Sequence, residues 1–350
     1  MEQTEGKIMQ KPIQYPKSAH YCPKTKRFFN LGSDKKLSAI GVVQAFWQML
    51  VYPEKFKPAT ALPMLQPDFS FFLQPSSQAK FIWFGHSSLL MRMANQTIFI
   101  DPVFAKSVSP FPIMMKRFQA PPASLTELPL VDVIIYSHNH YDHLDEAVVR
   151  YYVSQKHLQK TRFIVPLAMG EQLRKWGIDA DRIQELDWWQ SARLGDLTLT
   201  AVPAKHNTAR GVFDKNKTLW AGYVFQTAHE QIYYSGDSAF GDGSHFRHIA
   251  ERFGGFDLAF VENGQYNIDW IDNHMLPEQT AKAVELLNTK RFMPVHWGAY
   301  PLSIHGWHDP VLCSIPLVEQ IGVTPVTPLL GEVFNKETVT TYWWNHLDGS

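Results

Sequence analysis

The sequence predicts an α/β protein, and three observations on its 350 residues carry the prediction. Short apolar runs follow closely on one another from residue 80, as in an antiparallel start to a sheet. Beyond residue 130 such runs alternate with segments of helical periodicity. His and Asp residues then stand directly after four of those runs, where strands would end. With 45% hydrophobic residues and neither internal repeat nor low-complexity tract, the chain can bury a substantial core.

The first 36 residues are polar and lack an apolar core of signal-peptide length, so no cleavable secretion signal is expected. Residues 37–52 are apolar but interrupted by Gln44 and Gln48. They are too few for a membrane-crossing helix, which needs about 20 apolar residues. An amphipathic helix is expected there, with two fates open: packing on the rest of the chain, or peripheral contact with a membrane surface. Apolar helix faces are usually buried, which favours packing. Pro53, Pro58, Pro63, Pro67 and Pro75 then mark an irregular linker. Residues 80–84, 89–93 and 97–100 read as strands joined by short turns. Helices are expected over 145–158, 168–176, 244–253 and 277–287. Pro277 suits the first position of the last of these and Glu278 its first turn, whereas Leu276 is a poor N-cap, so a weakened start is expected.

The most informative stretch follows the apolar run 131–136. Ser137-His138-Asn139-His140-Tyr141-Asp142-His143 places three imidazoles and a carboxylate within six positions. A His-x-His pair on nearly extended chain points both rings to one side, so one cation can take both. Once the chain turns, Asp142 and His143 can face a second cation. Without a cation, four ionisable groups crowded at a strand end would be costly. The cluster therefore reads as half of a two-metal site. The remaining ligands are expected at other strand ends: His206 after 197–203, Asp237 in the Gly236-Asp237-Ser238 turn after 231–235, and His296 after 291–295. His206 would add a third nitrogen to the first metal, Asp237 would bridge, and His296 would complete the second.

Several motifs together resemble the metallo-β-lactamase-fold hydrolases. More narrowly they are similar to the branch of N-acyl-phosphatidylethanolamine phospholipase D and its RomA-like bacterial relatives. The resemblance rests on residues 83–90, 100–104, 137–145, 202–206, 219–223, 235–238, 252–259 and 295–298, and covers roughly 80–300. It implies four layers, αββα, with helices outside two facing mixed sheets and the metals at one edge. It also implies His138, His140 and His206 on one zinc, Asp142, His143 and His296 on the other, and Asp237 between them. On this reading residues 1–79 are an N-terminal extension and 80–345 the catalytic domain.

Other residues are placed by the same resemblance or by their surroundings. His274 stands where the phospholipase branch has an active-site histidine, to contact the scissile phosphate or protonate the leaving group, and a hydrogen-bonded loop histidine is the alternative. Asp101 can accept from the far nitrogen of a ligand imidazole, or cap the turn before Pro102. His86 belongs to the strand-opening motif and reads as supporting structure. Ser87 and Ser238 are read as structural, since the nucleophile is water. His305 and His308, just after His296, are candidates to line the entrance, although nothing in their spacing demands it. Glu262 departs from the mammalian lipid enzyme, which is uncharged at that loop. Aimed at the metals it would offset their charge; turned away it would pair with a base or hold a histidine.

Two zinc ions, two aspartates and a hydroxide held between the metals leave one net positive charge, which attracts an anion. Attack of that hydroxide on a phosphodiester, as in a phospholipase D, is the expected reaction, with Asp142 in the catalytic centre. The lactonase or amide-hydrolase alternative uses the same nucleophile on a small sugar-phosphate-like substrate, and a metal-stabilised binding protein is the alternative without turnover. Zinc is expected from the nitrogen-rich set, while Mn or Fe also suit nitrogen and oxygen donors. The 33 basic and 33 acidic residues cancel, without the electrostatic footprint of a nucleic-acid partner. Cys22 and Cys313 are too few for a disulfide framework, so a reducing, cytoplasmic setting is expected.

Overall fold

Strands arise where short apolar runs bury both faces. The computed structural model describes residues 15, 17–32, 38–111 and 114–347. The rest of the polar N-terminal stretch and Leu37 lie outside the described residues. In chain order the elements are β1 (Tyr21–Cys22), β2 (Arg27–Phe28), α1 (Ala39–Val51), α2 (Phe69–Leu73), β3 (Lys80–Trp83), β4 (Leu89–Met93), β5 (Gln96–Ile100) and β6 (Val133–Ile135). Next come α3 (Glu146–Ser154), β7 (Arg162–Pro166), α4 (Gly170–Lys175), β8 (Ile183–Leu186), β9 (Ser191–Leu194), β10 (Leu197–Val202), β11 (Gly222–Gln226) and β12 (Gln231–Tyr234). The chain ends with α5 (Ser244–Phe253), β13 (Leu258–Glu262), α6 (Pro277–Leu286), β14 (Arg291–Val295), α7 (Asp309–Gln320), β15 (Thr324–Pro325) and β16 (Val333–Phe334).

Two seven-stranded sheets form, ordered β16-β3-β4-β5-β6-β7-β8 and β9-β10-β11-β12-β13-β14-β15. Each begins with three antiparallel pairings and continues with three parallel ones. Side-chain alternation decides which core each residue joins. In the first sheet Leu89, Met91, Ile98, Ile100, Val133 and Ile135 face the core between the sheets. Their neighbours Leu90, Phe99 and Ile134 face outward, against Phe72 of α2, Val148 and Tyr152 of α3 and Leu173 of α4. Burial on both faces is why the 131–136 run is almost continuously apolar. Helices α5, α6 and α7 cover the second sheet with Phe246, Ile249, Val284, Val311 and Ile315. Four layers result, helices outside two facing mixed sheets, as the resemblance implied.

Element ends differ from expectation in instructive ways. The helix expected over 145–158 stops at Ser154, and a 3-10 turn, Lys156–Leu158, carries Leu158 into the core. Helix α7 was not expected, because Pro310 and Pro316 punctuate its sequence. Pro310 lies in the first turn, where no amide hydrogen is required, and burial of Val311, Ile315 and Val318 outweighs the cost of Pro316. At the start of α6, Leu276 supplies no capping oxygen, but Gln279 Oε1 accepts the Leu276 amide at 3.0 Å. That is one half of a capping exchange, so the weak cap is partly offset.

The N-terminal segments run along the sandwich. Phe28 and Leu62 join its core, and Phe28 N–H donates to Asn216 O at 2.8 Å. Helix α1 touches the protein along one narrow side: Ala45 is buried, and Gly41 lies so close to Asp269 that a Cβ would come within 2.0 Å of its carboxyl carbon. The expectation that its apolar stripe packs on the protein is corrected here, since Ile40, Val43, Leu50 and Trp47 are 75, 68, 60 and 56% exposed. A 13-residue helix held through Gly and Ala has too small a buried side to cover its large residues. Among the described residues no helix is long and apolar enough to cross a membrane.

Across the sheets, the Phe81 and Phe260 rings meet at 5.0 Å. Phe260→Ala is expected to cost about 3–5 kcal/mol of unfolding free energy, read from urea titrations, because a fully packed ring is removed from between two sheets.

Candidate metal centre

Side chains that must meet are delivered by strand ends on one edge of the sandwich. His138, His140, Asp142 and His143 follow β6, His206 follows β10, Asp237 follows β12 and His296 follows β14. The turn before Asp237 needs Gly236, at φ 58°: a Cβ there would meet Ala221 O and Ser137 Cβ, both at 2.9 Å.

All seven expected ligands come together, in two groups that Asp237 touches. His138 Nε2 lies 2.9 Å from His140 Nδ1, which lies 3.2 Å from His206 Nε2. Asp237 Oδ2 is 3.7 Å from both His138 Nε2 and His206 Nε2. On the other side, Asp142 Oδ2 is 3.2 Å from His296 Nε2 and 3.6 Å from His143 Nε2. Asp237 reaches this group too, with Oδ2 3.2 Å from His296 Nε2 and Oδ1 3.0 Å from His143 Nε2. The groups His138, His140, His206, Asp237 and His86, Asp142, His143, His296 can each hold a metal ion.

One detail favours cations over simple pairing. His143 Nε2 and Asp237 Oδ1 are buried and close, yet neither has a hydrogen-bond partner. Buried polar atoms are seldom left so, and two that approach without aligning are aimed at a common point. Nitrogen and carboxylate donors of this kind fit zinc, and also Mn or Fe.

The surrounding groups resolve the alternatives left by the sequence. Asp101 accepts from His143 Nδ1 at 2.8 Å, from Ser137 N at 2.7 Å and from Tyr234 OH at 2.6 Å, so it orients a ligand imidazole and is more than a turn cap. It does so at φ 41°, a conformation Asp tolerates better than most residues. His86 is more intimate than supporting structure: its Nε2 donates to Asp142 Oδ2 at 2.9 Å and its ring lies 4.2 Å from that of His296. Both rings stand on left-handed backbone, φ 55° at His86 and 70° at His296. Paired backbone bonds hold that strain, from His86 N–H to Trp297 O and from His296 N–H to His86 O, at 2.7 and 3.0 Å.

Glu262 is turned away from the metal groups. One oxygen accepts from His274 Nδ1 at 3.0 Å and Met275 N at 3.2 Å, the other from Ser238 N at 2.7 Å. His274 in turn stacks on His296 at 4.9 Å, and its side chain is 14% exposed. His274 forms a third candidate donor group with Asp237 and His296, whereas His305 and His308 join none of the three; they stack on Tyr266 and Trp307. Ser238 Oγ accepts from Lys205 N at 3.0 Å, in keeping with a structural role.

Sequence reading missed two supports. Arg210 donates to Leu144 O at 2.7 Å and Asn139 O at 3.1 Å while its guanidinium covers the Tyr141 ring at 3.9 Å, clamping the loop that carries four donors. Asn273 O accepts from His206 Nδ1 at 3.1 Å, which leaves Nε2 for the metal group. Neither leaves a local signal, because each acts across more than 60 residues of chain.

Residues 96–297 match the family described as the beta-lactamase superfamily domain. The chain belongs to the beta-lactamase superfamily. A Mycobacterium tuberculosis relative, the uncharacterized protein Rv0906, is 36% identical over 290 residues, 82% of this chain and 76% of its own. N-acyl-phosphatidylethanolamine-hydrolyzing phospholipase D 1 of Caenorhabditis elegans is 32% identical over 232 residues, 63% of this chain and 64% of its own. Among solved structures, the metallo hydrolase Igni18 of Ignicoccus hospitalis matches with a TM-score of 0.56 at 20% identity, over 73% of this chain and 97% of that one, a likeness of fold. This superfamily member is a metal-dependent hydrolase of the metallo-β-lactamase fold, with His and Asp clusters suited to the metal.

Electrostatics of the metal-free chain complement that donor set. Burial pushes the His86 imidazole down to about 3 and His140 to about 4, and holds His138 and His206 well below the usual range. For His296 burial opposes protonation, but the Asp237 and Asp142 carboxylates win and raise it to about 10; His143 is raised for the same reason. Asp142 and Asp237 are held well below the carboxylate range, because His143 and His296 outweigh the effect of burial. Imidazolium at His143 and His296 thus faces the Asp142, Asp237 and Asp101 carboxylates, and metal uptake must displace protons. The depressed histidines contribute stability above about pH 6.5 that is lost on acidification, and the raised ones contribute below about pH 6.5 and lose it toward pH 10. The thermal midpoint of the chelated chain is therefore expected to peak near neutrality. Metal reloading should flatten the alkaline fall; a midpoint that is level from pH 5 to 9 without metal would contradict this.

Proposed function

We propose that this protein is a zinc-dependent phosphodiesterase of phospholipase D type, acting on an N-acyl-phosphatidylethanolamine-like lipid. The observation that carries the reading is a juxtaposition. His140 and Asp142 of the metal groups border an open groove of about 320 Å³ whose other walls are Phe46, Val108, Ser109, Pro110, Phe111, Met115 and Tyr141. Donors at one end and apolar walls at the other suit a phosphodiester with an acyl tail. The C. elegans relative, named for hydrolysis of such a lipid, supports the same substrate class.

Two zinc ions held by the seven ligands would supply Lewis acidity and water of lowered pKa, the requirements for attack on a phosphodiester. The chain's own residues do the rest. Asp142 and Asp237 fix where positive charge sits, and Asp101 and Asn273 O keep His143 and His206 turned with Nε2 toward it. Glu262 accepts the hydrogen bond from His274 Nδ1, so Nε2 is the nitrogen left to meet the phosphate or the leaving oxygen. Because Glu262 already serves three donors, it does not compete with an anionic substrate for the metals.

Helix α1 belongs to the same reading. Phe46 joins it to the groove, and Ile40, Val43, Trp47 and Leu50 stand exposed on the same helix. We assign this face to peripheral contact with a membrane surface, where Trp is favoured and where the substrate resides.

The zinc-loaded protein is expected to hydrolyse bis-p-nitrophenyl phosphate and vesicular N-acyl-phosphatidylethanolamine, with Asp142→Ala lowering kcat/KM by about 1000-fold or more. Turnover of sugar-phosphate lactones alone, or full diester turnover by chelated protein, would overturn the assignment. In a second measurement, Trp47→Asp should weaken co-sedimentation with anionic phospholipid vesicles; unchanged sedimentation would remove α1 from the membrane contact.

A further inference from the structure

A side chain of the N-terminal extension hydrogen-bonds a residue of the metal centre. Asn30, buried at 7% exposure, accepts from His206 N at 3.0 Å through Oδ1 and donates to His206 O at 2.8 Å through Nδ2. A carboxamide has the same donor and acceptor spacing as a peptide edge, so Asn30 pairs with His206 as a neighbouring strand would. His206 needs such a partner because it lies beyond the end of β10, outside the ladder that fixes Leu197–Val202. Its ring is separately fixed by Asn273 O. Asn30 therefore sets where the His206 backbone sits, and Asn273 sets how its imidazole turns.

The arm that carries Asn30 is anchored to the same loop twice more. Phe28 N–H donates to Asn216 O at 2.8 Å, and Arg27 Nη1 donates to Lys215 O at 2.5 Å. Asn216 in turn bonds Thr208 in both directions, N–H to Thr208 O at 2.7 Å and Oδ1 from Thr208 N at 3.2 Å. The contact with His206 is thus the end of a built connection between the extension and the ligand loop.

We infer that Asn30 is a positioning residue for the His138, His140 and His206 group, supplied by a segment outside the span matched to the superfamily. The inference rests on the metal-centre reading and is independent of the substrate. Its consequence is that the ligand set between His138 and His296 is not held in place by that span alone.

The test uses the full chain, stripped of metal and titrated with Zn²⁺ or Co²⁺, with bound metal counted after desalting and affinity read by chelator competition. The unsubstituted chain should hold two ions. Asn30→Ala should weaken one of them by about 10–100-fold and spare the other, the usual effect of removing a residue that orients a metal ligand. Asn30→Asp keeps the acceptor for His206 N–H and should fall between the two, and it replaces the Ala variant if that does not fold. In a His206→Ala background, Asn30→Ala should weaken the remaining ion no further. Lys175→Ala removes only an exposed pair with Glu171 on α4 and should leave both affinities within about twofold of the unsubstituted chain. Wild-type affinities in Asn30→Ala, equal weakening of both ions, or added loss in the His206→Ala background would each overturn the role of Asn30. Failure of the unsubstituted chain to take up metal would overturn the metal centre itself.

Discussion

Two aspartates set deep among histidines at one edge of the sandwich impose the condition that the rest of the molecule meets. Asp237 is buried, and Asp142 keeps 13% of its side chain exposed. Carboxylates so far from water must be balanced by positive charge. Without metal, the balance falls to imidazolium at His143 and His296. With metal bound, the same oxygens and nitrogens would serve as donors, and the charge of the metal would take over the compensation. Proton binding and metal binding are thus two ways of meeting one electrostatic demand.

Meeting it requires atoms to be held where unconstrained chain would not leave them. The backbone is left-handed at His86, Asp101 and His296, each a residue other than Gly. Such conformations persist only where neighbours over-determine them. Here the neighbours are the His86 and Trp297 backbone bridge between the two sheets, the three donors converging on Asp101, and the Arg210 clamp on the 139–144 carbonyls. Glu262 performs a related task at one remove, tying the Asp237 turn to the loop that presents His274.

The groove that reaches His140 and Asp142 is bordered mainly by apolar side chains. Helix α1 sits there by a Gly and Ala contact side that lets it lie close to the 267–270 turn while its large residues face away. That turn leads on to Asn273 and His274, so the helix with the exposed apolar face and the loop that presents His274 share a footing.

Much of the fold and of the donor set was legible without coordinates. Apolar runs followed by His or Asp identified the strand ends, since a strand delivers the residue after it to the sheet edge, and the His-x-His-x-Asp-His spacing is chemistry that survives any packing. What sequence could not decide were partners chosen over long separations. Asn30 meets His206 across 176 positions, Arg210 meets Leu144 across 66, and Glu262 had three partners open to it until the fold placed Ser238 and His274 beside it. The same holds for α1, whose composition favoured burial although the fold offered only a strip wide enough for Gly41 and Ala45. Local periodicity and ligand spacing are properties of neighbouring residues and can be read along the chain, whereas the choice of which distant polar group satisfies another is made only when the layers close and exclude water.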